Sequence, residues 1–204
     1  MPKAIILRLE SYLTYLGQLR ANGKTTATSE ELARLFGISS SRVRQDLVAL
    51  GVVGKPRSGY DITELERMII ESLDVDKVKR IALVGFGNLG RALAGSDVWS
   101  HGGFELRAIF DNDPRVIGME VAGLRVRAIT ELFGVIKSEG IEAGCLTVPS
   151  SAAQQAADLL VAAGVRGIWN FSLIEINVPA GVIVENQRLE QGLMTLSYRM
   201  KPKA

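Results

Sequence analysis

The sequence predicts an α/β fold in two parts, a helical head followed by a doubly wound parallel sheet. Two observations carry that prediction. Up to about residue 73 the apolar positions recur at helical spacing, and beyond the charged segment Asp74–Lys79 short apolar runs alternate with helix-like stretches. Strands alternating with helices favour a parallel sheet with helices on its faces.

In the head, Ile5, Leu9, Tyr12, Leu13, Leu16 and Leu19 share one helical face, and Asn22-Gly23 is a suitable stop. Thr28-x-x-Glu31 is a capping box that opens a short helix with Leu32 and Leu35 expected inward. Gly37 breaks that helix and Ile38 plugs the turn. Ser39 to Ser41 then supply the N-cap of a helix carrying Val43, Leu47 and Leu50 on one face. Two short helices around a tight glycine turn make a helix-turn-helix. Its second helix points Ser41, Arg42, Gln45 and Val48 outward, with Arg44 on the flank. Arginine and glutamine at the start of such a helix suit guanine and adenine edges in a major groove. Val52–Tyr60 reads as a hairpin wing whose Lys55 and Arg57 would reach phosphate or the minor groove. Asp61-x-x-Glu64 opens a further helix with Leu65, Met68, Ile69 and Leu73 as its stripe.

The second part begins with the most informative stretch of the chain. Ile81–Val84 leads into Gly85-Phe86-Gly87-Asn88-Leu89-Gly90 and a helix-like Arg91–Ala94, and the next apolar run ends at Asp111. This is the Rossmann-type layout of a dinucleotide site. The first glycine makes the turn, the second admits the pyrophosphate, and the third packs helix on strand. The pyrophosphate lies at a helix N-terminus. A carboxylate at Asp111 accepts from the adenosine ribose and repels a 2′-phosphate, which favours NAD(H) over NADP(H). Further strands are expected at Ala143–Val148, Gly167–Trp169 and Val182–Val184, with helices near 129–138, 150–163 and 186–198. The strand ends bring two more groups of candidates, Thr147-Val148-Pro149 and Asn170-Phe171-Ser172. The terminal helix, with Leu189, Leu193, Leu196 and Met200, has little to pack on within one chain, so a two-fold dimer is expected.

Composition narrows the function further. The net charge is +2, yet the first 60 residues hold nine basic residues against four acidic ones, so the excess sits in the head and suits a polyanion there. No long apolar run and no signal-peptide pattern occur, so a cytoplasmic protein without membrane contact is expected. The single cysteine, Cys145, lies in an apolar run and reads as a core residue. The single histidine, His101, excludes a zinc site built on two histidines and is expected in a glycine-rich loop.

Taken together, these residues resemble the Rex family of redox-sensing bacterial transcriptional repressors. The likeness rests on the I-x-x-R-L-x-x-Y start at Ile5–Tyr12, V-R-x-D-L at Val43–Leu47 and the G-x-x-G-x-x-x-x-G-Y wing at Gly51–Tyr60. It continues through VGFGNLGRALA, FELRAIFDNDP, LTVP, AAQQAADLLVAAGVRGIWNF and VIVEN. The resemblance implies a winged-helix DNA-binding domain over 1–78, a Rossmann-like NAD(H) domain over 79–184 and a domain-swapped C-terminal helix over 185–204. It also implies a homodimer on a palindromic operator of double-stranded DNA, released when NADH binds.

Carried across by position, Gly85, Phe86, Gly87, Asn88, Leu89 and Gly90 would hold the pyrophosphate, and Asp111 the ribose. Thr147, Val148, Pro149, Asn170 and Phe171 would surround the nicotinamide. The candidate DNA contacts are Ser40, Ser41, Arg42, Arg44, Gln45, Lys55, Arg57 and Ser58. This sequence departs from the family pattern at Gln45, where a lysine is usual. It departs again at Thr14, Ser96 and Arg188, where an arginine, a tyrosine and an aspartate are usual. Two alternatives therefore stand beside the repressor: a DNA-binding dimer with a weakened redox switch, and a small NAD-dependent oxidoreductase. The second has little room for a substrate domain and only His101 and Lys137 as candidate acid or base.

Overall fold

The computed structural model describes residues 1–52, 54, 58–188 and 190–201, which fall into two compact units, Met1–Lys77 and Val78–Ala204. The expected boundaries were 78/79 and 184/185, and strand Ile183–Asn186 runs across the second.

The first unit begins with α1 (Lys3–Ala21), whose face Leu9, Tyr12, Leu16 and Leu19 is buried. It ends at Asn22 and Gly23, the glycine taking φ 78°. A two-residue strand β1 (Thr26–Ala27) leads into α2 (Ser29–Phe36), where Thr28 and Glu31 form both halves of the capping box. Gly37, left-handed at φ 60°, turns the chain into α3 (Ser40–Val48), capped by the Ser39 hydroxyl, which accepts from the Arg42 N–H. Strand β2 (Tyr60–Asp61) pairs antiparallel with β1, so this end of the wing is fastened to the segment before α2, a pairing the sequence reading did not contain. Asp61 then caps α4 (Ile62–Leu73) by accepting from the Glu64 N–H.

One expected core position is corrected. Leu35 is 48% exposed, and Phe36 packs instead, its ring meeting Tyr12 edge-on at 5.2 Å. Helix α2 spans only eight residues, too few for the helical period to fix both of its last two side chains.

In the second unit the strands are β3 (Lys79–Val84), β4 (Phe104–Asp111), β5 (Glu120–Val121), β6 (Leu124–Ala128), β7 (Ala143–Leu146), β8 (Gly167–Asn170) and β9 (Ile183–Asn186). They lie in the order β5-β6-β4-β3-β7-β8-β9, parallel throughout except for the antiparallel edge strand β5. Without that edge strand, the order is the 3-2-1-4-5-6 of a doubly wound fold. Alternate residues of β3 feed two cores. Ala82 and Val84 pack under α7 (Leu132–Ser138) and α8 (Ser150–Ala163). Ile81 and Leu83 pack on the opposite face with Cys145, Trp99 and Trp169.

Helix α5 (Asn88–Ala94) follows the glycine turn, and a short α6 (Val98–His101) follows it. His101 therefore closes a helix rather than lying in a loop. Cys145 is buried, and burial pushes its thiol well above the usual range, as a core residue requires. The last helix, α9 (Glu190–Arg199), leaves Leu193, Met194, Leu196 and Tyr198 exposed, and Leu189 lies outside the described residues.

Candidate functional site

Strand order reverses where β3 gives way to β7, and ligands of such sheets bind beyond the strand carboxyl ends at that point. Here a cleft of about 760 Å³ opens, within the range of small-molecule sites. The structure brings Gly85, Gly87, Leu89, Asp111, Thr147, Val148, Pro149 and Phe171 to its walls. Ile129, Gln155 and Leu159, which the sequence reading did not single out, line it as well.

Each glycine of the turn has a distinct reason. Gly85 has φ 100°, and a Cβ there would stand 2.8 Å from the Thr147 carbonyl oxygen. At Gly90 a Cβ would fall 2.0 Å from the Gly85 oxygen, so α5 can lie against the turn only without a side chain. Gly87 differs from both. It is the N-cap of α5 at an ordinary φ of −75°, and a Cβ there would meet nothing within 4 Å. Among the described residues nothing crowds that position and forces it to be a glycine.

The remaining walls are tied to the turn. Thr147 Oγ1 donates to the Gly85 carbonyl at 2.7 Å, joining the ends of β3 and β7. Asp111 accepts from the Phe86 N–H at 2.5 Å through one oxygen and from the Asp113 N–H at 2.8 Å through the other. Asp113 sits beside it, its carboxyl held down to about 2 by the Arg115 guanidinium. The Asp111 end of the cleft thus carries two carboxylates.

Four expected site residues do not line the cleft. Gly90 is buried against Gly85. The Phe86 ring turns into the core shared with Trp99, its face 5.1 Å from the Arg91 guanidinium, and only its backbone stays in the turn. Asn88 is an exposed residue in the first turn of α5. Asn170 is fully buried, donating to Ile174 O at 2.9 Å and Asn186 Oδ1 at 2.8 Å and accepting from the Ser172 N–H and hydroxyl. Those bonds tie β8 to β9 and fold the loop carrying Phe171. Asn170 therefore shapes the wall without facing the cleft.

In the head, Ser41, Arg42, Arg44 and Gln45 are exposed on α3 and Ser40 is half-buried. Arg44 is held by Ser29 and Ser40 at 3.1 and 3.3 Å and stands 3.5 Å from Glu30. Ser58 is exposed, and Lys55 and Arg57 lie outside the described residues. Sequence reasoning missed the buried Asp46, which Arg8 grips at 2.6 and 2.7 Å. A carboxylate one turn-step from Val43, beside Leu47 on the inner face, is the signal that could have found it. Among the described residues no cluster of His, Cys, Asp or Glu could hold a metal ion. No helix among them is long and apolar enough to cross a membrane.

A helix-turn-helix head followed by a doubly wound sheet with a glycine-lined cleft defines a nucleotide-site regulator by architecture. Residues 1–47 match a family model described as a putative DNA-binding protein N-terminus, and residues 76–174 match one described as a CoA binding domain. The redox-sensing transcriptional repressor Rex of Clostridioides difficile (strain 630) is 39% identical over 97% of this chain and 94% of that protein. Its counterpart in Thermoanaerobacter sp. (strain X514) is 39% identical over 97% and 88%. Among solved structures, RSP, a Rex-family repressor, matches with a TM-score of 0.90 at 36% identity, over 98% of this chain and 93% of that one. RSP in complex with NAD+ and operator DNA gives 0.91 at 37%, over 98% and 92%, and RSP with NADH gives 0.89 at 36%, over 98% and 94%. The chain belongs to the Rex family of redox-sensing transcriptional repressors.

Proposed function

We propose that this chain binds operator DNA as a homodimer through the head at 1–78 and NAD(H) through the cleft of 79–184, NADH lowering operator affinity. The segment 185–204 acts as an exchanged helix between the two copies, and the protein works in the cytoplasm. The observation that carries the nucleotide reading is Gly87. A glycine with unstrained backbone and open space before it, at the head of α5 in the cleft, has its reason in what enters the cleft.

Bound there, the pyrophosphate lies against Gly85 and Gly87 and meets the N–H groups that open α5. Asp111 receives the adenosine ribose hydroxyls, and Thr147, Val148, Pro149 and Phe171 enclose the nicotinamide. The cofactor supplies a redox state and no bond is made or broken. The family model named for coenzyme A agrees on the adenosine diphosphate half, which the two cofactors share. Two carboxylates at the ribose end disfavour the extra ribose phosphate of coenzyme A or NADP(H). Relatives that are named repressors, and RSP structures with NADH and with NAD+ plus operator DNA, support a regulator over an oxidoreductase.

On the DNA side, Arg42 and Gln45 read base edges, Ser40, Ser41 and Arg44 contact the phosphates, and Ser58 with Lys55 and Arg57 form the wing contact. Arg44 must exchange its bonds to Ser29 and Ser40 to do so.

The test is titration of NAD+ and NADH into the complex of the protein with an inverted-repeat duplex. NADH should lower operator affinity at least tenfold, a coupling of about 1.4 kcal/mol. NAD+ at equal concentration should lower it less. One observation favours a second reading, a DNA-binding dimer with a weakened switch. The three departures spend their polar groups within the chain: Thr14 on Glu10 O at 3.3 Å, Ser96 on Leu93 O at 2.9 Å, and Arg188 on Glu175 at 3.1 Å. Equal operator affinity with and without saturating NADH would establish that second reading.

A further inference from the structure

Asp46 lies on the inner face of α3 with its side chain 2% exposed. Burying a lone carboxylate is costly, and the fold compensates it through α1. Arg8 donates from Nε to Oδ2 at 2.6 Å and from Nη2 to Oδ1 at 2.7 Å, a two-pronged pair on a side chain itself only 17% exposed. Tyr12, one turn further along α1, donates its hydroxyl to Oδ2 at 3.1 Å. On α3, Arg42 stands one turn before Asp46 with its Nε 3.9 Å from Oδ1, and Gln45 is the adjacent residue.

This cluster does something the apolar seam cannot. Leu9, Leu16, Val43 and Leu47 share one buried core, but hydrophobic contact is non-directional and leaves the roll of α3 weakly set. A planar guanidinium meeting a carboxylate along two parallel bonds fixes that roll. A roll of about 20° moves the surface of a helix by about 2 Å, since side chains lie about 5–6 Å from its axis. Hydrogen bonds tolerate only about 0.5 Å.

Building on the DNA reading of the head, we infer that Asp46 is a specificity-determining positioning residue that touches no base. Through Arg8 and Tyr12 it sets the roll of α3 on α1, and so the aim of Arg42 and Gln45. Stability is not its main product, because a buried ion pair replaced as a whole by apolar groups of similar size is often as stable.

The experiment uses the full chain and a duplex enriched from a random pool by the wild-type protein. In the triple variant Arg8→Met, Tyr12→Phe, Asp46→Leu no buried charge or hydroxyl is orphaned. It should melt at or above the wild-type temperature and keep its NADH affinity. Its binding to a random duplex should stay within twofold, while its preference for the enriched duplex falls at least tenfold. Asp46→Asn, which keeps shape and removes charge, should lose preference in the same direction. A folded triple variant that keeps its preference overturns the inference. So does a triple variant that fails to fold, because the cluster is then a stabiliser. Failure of the wild-type chain to enrich any duplex strikes the DNA reading of the head itself, a separate outcome.

Discussion

The head and the sheet unit hold their candidate binding surfaces by opposite means. On the head the candidate contacts are side chains, and other side chains brace them or the helices that carry them: Arg8 and Tyr12 on Asp46 of α3, Ser29 and Ser40 on Arg44, Glu31 on the start of α2. In the sheet unit the cleft is largely backbone, made by strand ends, a glycine turn and the first turn of a helix. There Thr147 and Asp111 serve chiefly to brace main-chain atoms. A methyl group is therefore the sharpest probe of the cleft, and a change of charge the sharpest probe of the head.

The largest effect expected is that of Gly90→Ala. Its Cβ would fall 2.0 Å from a backbone oxygen, which cannot rotate away, so α5 must lift off β3. Overpacking of this kind costs about 3 kcal/mol. Both tryptophans, Trp99 and Trp169, lie in the sheet unit, so urea unfolding followed by tryptophan fluorescence reads that unit alone. An unchanged midpoint would break the comparison at once. Gly87→Val sharpens it, because there the added Cβ meets open space. Its stability should fall by only about 1 kcal/mol, the cost of an aliphatic side chain at a helix N-cap. NADH affinity by calorimetry should fall at least a hundredfold, about 2.7 kcal/mol. Undiminished affinity would remove the cleft from nucleotide binding.

How legible each unit was in the sequence follows from the same difference. Main-chain devices have local signatures, so the caps at Thr28, Ser39 and Asp61, the glycine turn and the ends of β3 and β4 were readable to within a residue or two. Contacts made by side chains across sequence distance were not. Asn170 was read as a cleft residue because it closes a strand. Its burial depends on the loop 171–182 folding back to place Asn186 beside it, which no local pattern encodes. The pairing of β1 with β2 joins residues more than thirty apart. Asp46 went unremarked because its partner is Arg8, on another helix.

A smaller effect is expected from Asp111→Asn, a charge probe applied to the cleft. The amide keeps one acceptor toward the Phe86 N–H and no longer repels a ribose phosphate. Asp113 stays ionised through the working pH range, since Arg115 holds it at about 2. Discrimination between NADH and NADPH should therefore narrow only about tenfold, near 1.4 kcal/mol, by paired calorimetric titrations. A complete reversal of preference would show that Asp111 alone had set it.

The smallest effect belongs to Glu31, where a charge supports backbone in the head. Its carboxylate is held below the usual 4.5 by Lys24 Nζ at 2.5 Å and by the Thr28 N–H at 2.9 Å. A group whose pKa is depressed by folding contributes stability above its unfolded value and loses it as pH falls through the folded one. That contribution is complete at neutral pH and begins to fail near 4.5. Partial exposure of the pair limits it to about 0.5–1 kcal/mol. Three of the four tyrosines, Tyr12, Tyr15 and Tyr60, lie in the head, so tyrosine absorbance during urea unfolding follows that unit. Glu31→Gln should be less stable than wild type at pH 7, and the two should converge as pH drops below 4.5. A gap that stays constant down to pH 3 would show that the neutral hydrogen bond, rather than the charge, supports the cap.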